Sequence, residues 1–477
     1  MFVGRKEQLD RLNSLWRKNS ASLVVISGRR RIGKSTLVEE FALRSKCRFI
    51  EIEGLADDGK MSNRKQIDNF CERLAHATGA PMARADSWPA AFDALEFALK
   101  DDAKTIVFLD EISWMGKRDS SFAAFLKSAW DTQFSRHRHV ILVLAASVSA
   151  WIQENILHSK AFVGRVSVDI MLQELSLSEC CQFWGEKATR VNPLEMLDVL
   201  SVTGGVPKYL QEMDPSLSAE ENIRRMCFLP DGYLFKDFER IFQDSFMGTL
   251  QAKAKIVEVL AEGAVTVSEL AMKLGVGPNG HLTEDLKELS QAGFVAPSIG
   301  LNPETGRPAR AVRYRLKDNY VRFYLKYIRP RYEAIQAGLY HYRSLEQMAG
   351  IESVFGLQLE NLVLNNLKSL CPLIGLGPQL ILSAAPYFRK GGKRGAGVQV
   401  DLLIQTPKSA YVIEIKRRKW IGIGIEDEVR EKVVRLGLGR DKSVRTVLVY
   451  AGELSAEVEE RGYFDYLVPV EALVRNS

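Results

Sequence analysis

Three short apolar runs, "SLVVIS", "KTIVFLD" and "HVILVLAAS", mark the N-terminal part of the chain. Unbroken runs of this length between turn residues predict strands buried on both faces. The first leads through a Gly-bounded loop into a helical pattern, "KSTLVEEFAL". From about Lys253 the pattern changes. "KAKIVEVLAEGAVTVSELAMKLGV" predicts a helix, a short strand and a second helix starting near Ser268, and "GHLTEDLKELSQAGFV" a third helix. "APSIGLNPETGRPARAVRYRLKD" predicts a hairpin with turn residues in its middle. In "NYVRFYLKYIRPRYEAI", Tyr320, Phe323, Tyr324 and Tyr327 recur at helical spacing, as in a packed connecting helix. From about Ile351 the chain is again α/β. "FGLQLENLVLNNL" is an amphipathic helix, and "GVQVDLLIQTPKSAYVIEIKRRK" two strands joined at "TPKS". In "YVIEIKRR" apolar and charged residues alternate, which predicts a half-buried strand. Glu414 and Lys416 then share one face with Val412, and Ile413 and Ile415 take the other.

Composition narrows the class. The chain has 477 residues, 46% hydrophobic and 26% charged, enough for two to four domains with sizeable cores. Its start, "MFVGRKEQLDRL", is charged from the fifth residue, which argues against a secretory leader. The longest apolar run, "VILVLAASVSAWI", is too short to span a bilayer. Cys47, Cys71, Cys180, Cys181, Cys227 and Cys371 show no metal-ligand spacing, so a reducing, cytoplasmic setting without disulfides is expected. A net charge of +6 permits nucleic-acid contact without demanding it.

Chemistry enters with "GRRRIGKST". Gly28, Gly33, Lys34 and Ser35 fit the P-loop spacing. Such a loop, here Gly28 with Arg29, Arg30, Arg31 and Ile32 up to Gly33, turns backbone N–H groups toward phosphate oxygens. Lys34 is then placed to reach the β- and γ-phosphates of ATP, Ser35 to ligate Mg2+, and Thr36 follows in the first helical turn. "KTIVFLDEIS" supplies the acids expected at a strand end. Asp110 holds the metal through water, and Glu111 orients and deprotonates the attacking water. At the end of the third run, Ser147 or Ser149 either senses the γ-phosphate or lies in a solvated turn.

With these motifs in hand, the chain resembles the STAND branch of AAA+-like P-loop ATPases, and most of all the archaeal-type ATPases, over roughly residues 1–320. "FVGRKEQL", "GRRRIGKST", "VFLDEIS" and "GGVPKYL" carry the likeness. It implies that Phe2, Val3, Gly4 and Arg5 lie near the adenine. Gly205 and Pro207 are implied in a helical lid. Arg165, in "SKAFVGRVS", is either an arginine near a neighbouring subunit's γ-phosphate or a plain surface residue. The first alternative implies homo-oligomers when ATP is bound.

The helix–helix–hairpin pattern in the middle is the winged-helix layout. Its third helix carries Glu284, Asp285 and Glu288 against Lys287, which suits phosphate approach poorly; its wing carries Arg307, Arg310, Arg313 and Arg315. DNA binding and an internal packing or signalling role both remain open. In the last segment Asp401, amid "VQVDLLI", sits where a lone buried carboxylate is costly. Asp401, Glu414 and a backbone carbonyl are then placed to bind Mg2+, with Lys416 positioning water or steadying the leaving phosphate. The alternative is a structural ion pair on a solvated sheet. This constellation resembles the PD-(D/E)XK nuclease fold, and Glu360 resembles the extra acid many members carry. The Gly-rich basic stretch before Asp401, without a preceding Pro, departs from the motif. Arg389, Lys390, Lys393, Arg394, Arg417, Arg418 and Lys419 are expected to meet a phosphate backbone.

The fold class expected is α/β: a P-loop NTPase core with a parallel sheet (1–170), a helical lid (171–250), a winged helix (251–318), connecting helices (319–350) and a PD-(D/E)XK-like domain (351–477). The function expected is an ATP-driven switch coupled to a Mg2+-dependent nuclease-like domain acting on DNA. A non-nucleolytic regulator and an ATP-assembled scaffold are the rivals, and no membrane partner is expected.

Overall fold

A computed structural model describes residues 2–56, 61–147, 150–245, 250–277, 280–309, 312–377, 380–392, 396–439 and 442–475. Ser149, Arg310, Lys393 and Arg394, named above, lie outside these residues. The chain forms two compact units, Met1–Gln173 and Glu174–Ser477. Among the described residues no helix is long and apolar enough to cross a membrane.

The first unit is built on strands β1 (Ser22–Gly28), β2 (Arg48–Glu53), β3 (Thr105–Asp110), β4 (Val140–Ser147) and β5 (Val166–Leu172). They form one all-parallel sheet in the order β2-β3-β4-β1-β5. Alternate residues of β1 feed different cores. Leu23 and Val25 pack with Phe70, Trp88 and Phe92, whereas Val24 and Ile26 pack with Leu12, Leu37 and Phe41. This two-sided burial explains the unbroken apolar runs, each Val or Leu adding roughly 1.5–3 kcal/mol on full burial. Because the strands are parallel, Gly28, Asp110 and Ser147 all finish at one edge of the sheet, where ligands of open α/β sheets bind.

In the second unit one apolar core runs from Val202 and Tyr209 through Phe228, Ile256 and Leu286 to Tyr320 and Phe355. Its helices include Pro193–Thr203, Pro207–Gln211 and Ala219–Cys227. Helices Leu250–Ala261, Val267–Leu274 and Gly280–Gln291 then accompany β6 (Val265–Thr266), β7 (Val295–Ser298) and β8 (Arg313–Leu316), an antiparallel sheet in the order β6-β8-β7. Tyr320, Phe323, Tyr324 and Tyr327 are buried in the shared core. Beside them a polar network joins the hairpin to helix Ile351–Asn365. Arg322 donates to the Gln358 side chain (2.5 Å) and to the Leu316 carbonyl (2.9 Å), and Asn361 donates to that carbonyl (2.8 Å).

The remaining strands are β9 (Ser383–Arg389), β10 (Val398–Gln405), β11 (Ser409–Ile421), β12 (Ser443–Leu454) and β13 (Tyr466–Pro469). They form a mixed sheet in the order β13-β12-β11-β10-β9, antiparallel from β9 to β11 and parallel from β11 to β13. Central β11 departs from the half-buried expectation: Ala410 to Ile415 are all buried. Helices Ile351–Asn365 and Gly424–Leu436 both pack against it, so Glu414 lies fully inside. Edge strand β9 is flanked by the hairpin loop. The Leu301 N–H donates to Ser383 Oγ (3.2 Å), and Gln405 donates to the Leu301 carbonyl (2.8 Å).

Candidate nucleotide site and carboxylate cluster

β1 delivers the Gly28–Thr36 loop. A side chain at Gly28 would meet the Leu172 carbonyl at 2.9 Å, so only glycine lets β5 approach this closely. Arg31 and Gly33 take the left-handed conformation (φ 70° and 87°) before helix Lys34–Ser45. Lys34 is buried and donates to the Gly28 carbonyl at 3.2 Å. Burial lowers its pKa, while Glu111 and Asp110 raise it. Ser35 Oγ donates to Asp110 Oδ2 at 2.5 Å, joining the loop to the end of β3. Asp110 is buried, which pushes its carboxyl above the usual range against the pull of the Ser35 hydrogen bond. Its Oδ1 accepts from the Glu111 N–H at 2.8 Å. Glu111 has φ 46°, and its carboxylate accepts from Ser147 Oγ (2.9 Å) and N–H (3.3 Å). Lys34, Ser35, Asp110, Glu111 and Ser147 therefore form one connected group.

The N-terminal segment braces this loop. Arg5 is buried and donates to the Ile32 carbonyl at 3.1 Å and the Gln173 carbonyl at 2.7 Å. The side chains of Ile32 and Val3 are buried, and the Phe2 ring lies under Arg44 at 5.7 Å. Of the loop's three consecutive arginines, Arg30 stacks over Trp114 at 5.1 Å, a partner that the sequence reading missed. Arg165 forks onto Asp131 (2.6 and 2.8 Å), and this pairing holds the Asp131 carboxyl down at about 2. Within the second unit a Cβ on Gly205 would meet the Leu175 carbonyl at 2.4 Å, and Pro207 opens helix Pro207–Gln211.

The second cluster sits on β10 and β11. Asp401 accepts from the Ile415 N–H at 2.9 Å. Burial and neighbouring Glu414 push its carboxyl up to about 6. Glu414 meets Lys416 Nζ at 2.6 Å on one oxygen and Lys432 Nζ at 2.5 Å on the other. Burial lowers the Lys416 pKa, but Glu414 more than offsets this and the net shift is upward. Glu360 is pushed up to about 7 by burial and by Asp401. Lys432, from helix Gly424–Leu436, was not foreseen; its only sequence signal is Glu428 four residues earlier on the same helical row. Glu428 approaches Lys416 at 3.4 Å.

The wing arginines are not a free outer face. Arg315 is half-buried and donates to Asn361 and, at 3.3 Å, to Asn365; desolvation draws its pKa down to about 10. Arg313 donates to the Ala264 carbonyl and lies 4.1 Å over Phe388 of β9. Arg307 is exposed. The acids of helix Gly280–Gln291 are partly neutralised: buried Lys253 meets Asp285 (2.9 Å) and Glu288 (3.0 Å), and Lys287 pairs with Glu284 (3.2 Å). Of the other expected phosphate contacts, Arg389 pairs with Glu304 (2.7 Å), Arg417 with Asp198, Arg418 with Glu428 (3.8 Å) and Lys419 with Glu346 (2.8 Å).

The donor sets suit a hard cation. A hydroxyl and a carboxylate meet at Ser35 and Asp110, and Asp401 and Glu414 supply buried carboxylates on neighbouring strands. Among the described residues no three Asp, Glu, His or Cys side chains come together as a complete metal cage. A Mg2+ ion here would draw its remaining ligands from phosphate, backbone or water.

Residues 2–213 match a family described as an ATPase domain predominantly from Archaea. This stretch is similar to archaeal-type ATPase domains, a likeness that supports nucleotide binding and ATP hydrolysis. An uncharacterized protein of Methanocaldococcus jannaschii is 24% identical over 418 residues, 87% of this chain and 87% of that protein. An uncharacterized ATP-binding protein of the same organism is 44% identical over 52 residues, 11% of this chain and 88% of that protein. Among solved structures, a Walker-type ATPase of Pyrococcus abyssi is 16% identical and aligns over 68% of this chain and 96% of its own, with a TM-score of 0.47. A STAND protein of Pyrococcus horikoshii is 14% identical over 78% of this chain and 49% of its own, with a TM-score of 0.29.

Proposed function

We propose that the chain is an ATP-hydrolysing switch of STAND type coupled to a Mg2+-dependent nuclease-like domain that acts on DNA. The hydrogen bond from Ser35 to Asp110 carries the first half of this reading, because it joins a phosphate-binding loop to the acid of another strand. Lys34 and the backbone N–H groups from Arg29 to Thr36 grip the triphosphate. Ser35 and Asp110 hold Mg2+, which neutralises phosphate charge when bound. Glu111, steadied by Ser147, takes a proton from water as its oxygen bonds the γ-phosphorus and the bond to the β-phosphate oxygen breaks. Phe2 to Arg5 lie by the base, and Pro207 belongs to the lid. Arg165 assists a neighbouring subunit in an ATP-bound homo-oligomer, after leaving Asp131. The setting is cytoplasmic.

The second half rests on buried Asp401 and Glu414 beside Lys416. Asp401 and Glu414 hold the metal, Glu360 supports them, and Lys416 positions the water that adds to phosphorus while the ester P–O bond breaks and its oxygen leaves with a proton. ATP turnover measured in Mg2+, with and without DNA, tests the whole. Turnover by the wild type and its loss in Lys34→Ala are expected; unchanged turnover in Lys34→Ala refutes the site. A second reading, a regulator without nuclease activity, is favoured by the inward-facing Arg315 and predicts no metal-dependent cleavage of plasmid or linear DNA.

A further inference from the structure

Two clefts adjoin beside Phe388, Lys390 and Gln399. The larger, about 900 Å3, is lined by Arg313 and Met272 of the helix-and-hairpin module, by Phe388 and Lys390 at the end of β9, and by Glu360 and Asp401. The smaller, about 450 Å3, runs past Glu428 and Lys432, the partners of Lys416 and Glu414. Phe388, Lys390 and Gln399 line both, so the two are continuous at the end of β9, and the larger reaches Glu360 and Asp401.

The geometry points to a single strand of nucleic acid as the occupant of this path. Arg313 and Lys390 receive its phosphates, Phe388 a base, and one phosphodiester comes to Asp401. This assignment rests on the nuclease reading for its chemistry, though not for binding. Single-strand grooves combine positive charge along the backbone with an aromatic face for stacking. Both are present, for Lys390 is exposed and Phe388, with Arg313 4.1 Å over its ring, still keeps 42% of its surface in solvent. The larger cleft lies near the top of the usual range for enclosed ligand sites, about 300–1,000 Å3, which suits a few nucleotides. Duplex reading would instead place a helix in the major groove. The helix available for that, Gly280–Gln291, has Asp285 and Glu288 turned to Lys253 and carries three acids against Lys287, a net negative charge. The module thus forms part of the wall of the nuclease-like site, and its arginines serve a strand held there.

Fluorescence anisotropy on the full-length protein in EDTA tests this. The probes are a labelled single strand of about 12 nucleotides, within the usual site size, and the matching duplex. The single strand should bind at least about tenfold tighter than the duplex, and Lys390→Glu and Phe388→Ala should each weaken it about tenfold. Wild-type affinity in both variants, or duplex binding as tight as single-strand binding, overturns the assignment. Asp401→Ala, followed with Mg2+, separates the two readings. Binding kept with cleavage lost supports both. Cleavage lost while Lys390→Glu and Phe388→Ala bind normally sinks the strand path and leaves the nuclease. Absence of cleavage in the wild type, with tight strand binding that Lys390→Glu abolishes, sinks the nuclease and leaves the path.

Discussion

Arg417 pairs with Asp198, so the residue next to Lys416 on β11 is tied to helix Pro193–Thr203. The Asp198 carboxyl is largely buried, which raises its pKa against the pull of Arg417, and the Arg417 guanidinium also lies 4.7 Å over Phe355. The helix capped by Gly204 thereby touches the strand that carries Lys416.

Removing one partner leaves the other charge poorly solvated, at a cost of up to about 3–5 kcal/mol for a fully buried pair. Asp198→Ala, at a pair still partly exposed, should therefore destabilise the protein by about 2 kcal/mol, below that range. Glu346→Ala, which breaks the exposed pair with Lys419, should leave stability nearly unchanged. Urea titration of both variants checks the contrast, and equal midpoints would show that the Arg417 pair is no stronger than a surface one.

Glu111 and Ser147 form the polar contact best placed to act on water. Glu111→Gln should keep nucleotide binding and lower turnover by about 10²–10⁴-fold. Ser147→Ala should lower it less, by about tenfold, the worth of roughly one hydrogen bond. Binding of a labelled ATP analogue beside steady-state hydrolysis separates the two effects. Normal hydrolysis in Glu111→Gln would remove that residue from the role of base.

At the second cluster, Asp401→Ala and Lys416→Ala should abolish Mg2+-dependent cleavage, and Lys432→Ala should reduce it by unsettling Glu414. Plasmid nicking with each purified variant provides the measurement. Cleavage surviving equally in all three would assign it to a contaminant.

Glu360 gives a pH dependence of stability. Its folded carboxyl titrates near 7, above the ordinary glutamate value of about 4.3. The folded state then binds more protons than the unfolded one between these values, and stability falls as pH rises through that window. In EDTA the melting temperature should be higher at pH 5.5 than at pH 8, and Glu360→Gln should flatten the difference. A steeper fall in Glu360→Gln would contradict the assignment.

The strands of the first unit were readable because both faces of β1, β3 and β4 are buried, which leaves no polar alternation to confuse them. The loop at Gly28–Thr36 and the acids at Asp110 and Glu111 were readable because local spacing fixes both; their apposition through Ser35 follows from strand order. β11 misled, since alternation with Glu414 suggested a wet face, while helices on the sheet and two lysines enclose that charge. Arg313 and Arg315 misled for a related reason. Two residues apart on β8, they share a face, but charge alone does not say whether that face meets solvent or another element. Lys432, Trp114 and Asp198 depend on tertiary pairing that no short stretch of sequence records.

The hydrogen bonds between the hairpin loop and β9 have a practical consequence. Ser383 and Gln405 spend side-chain groups on Leu301, and that loop shields the last strand of the C-terminal sheet. Expressing residues 351–477 alone would uncover a flat row of backbone donors and acceptors, beside the exposed Leu380, Ile381 and Leu382. Such a fragment would self-associate edge to edge, and its aggregation would say nothing about how the intact chain behaves in solution.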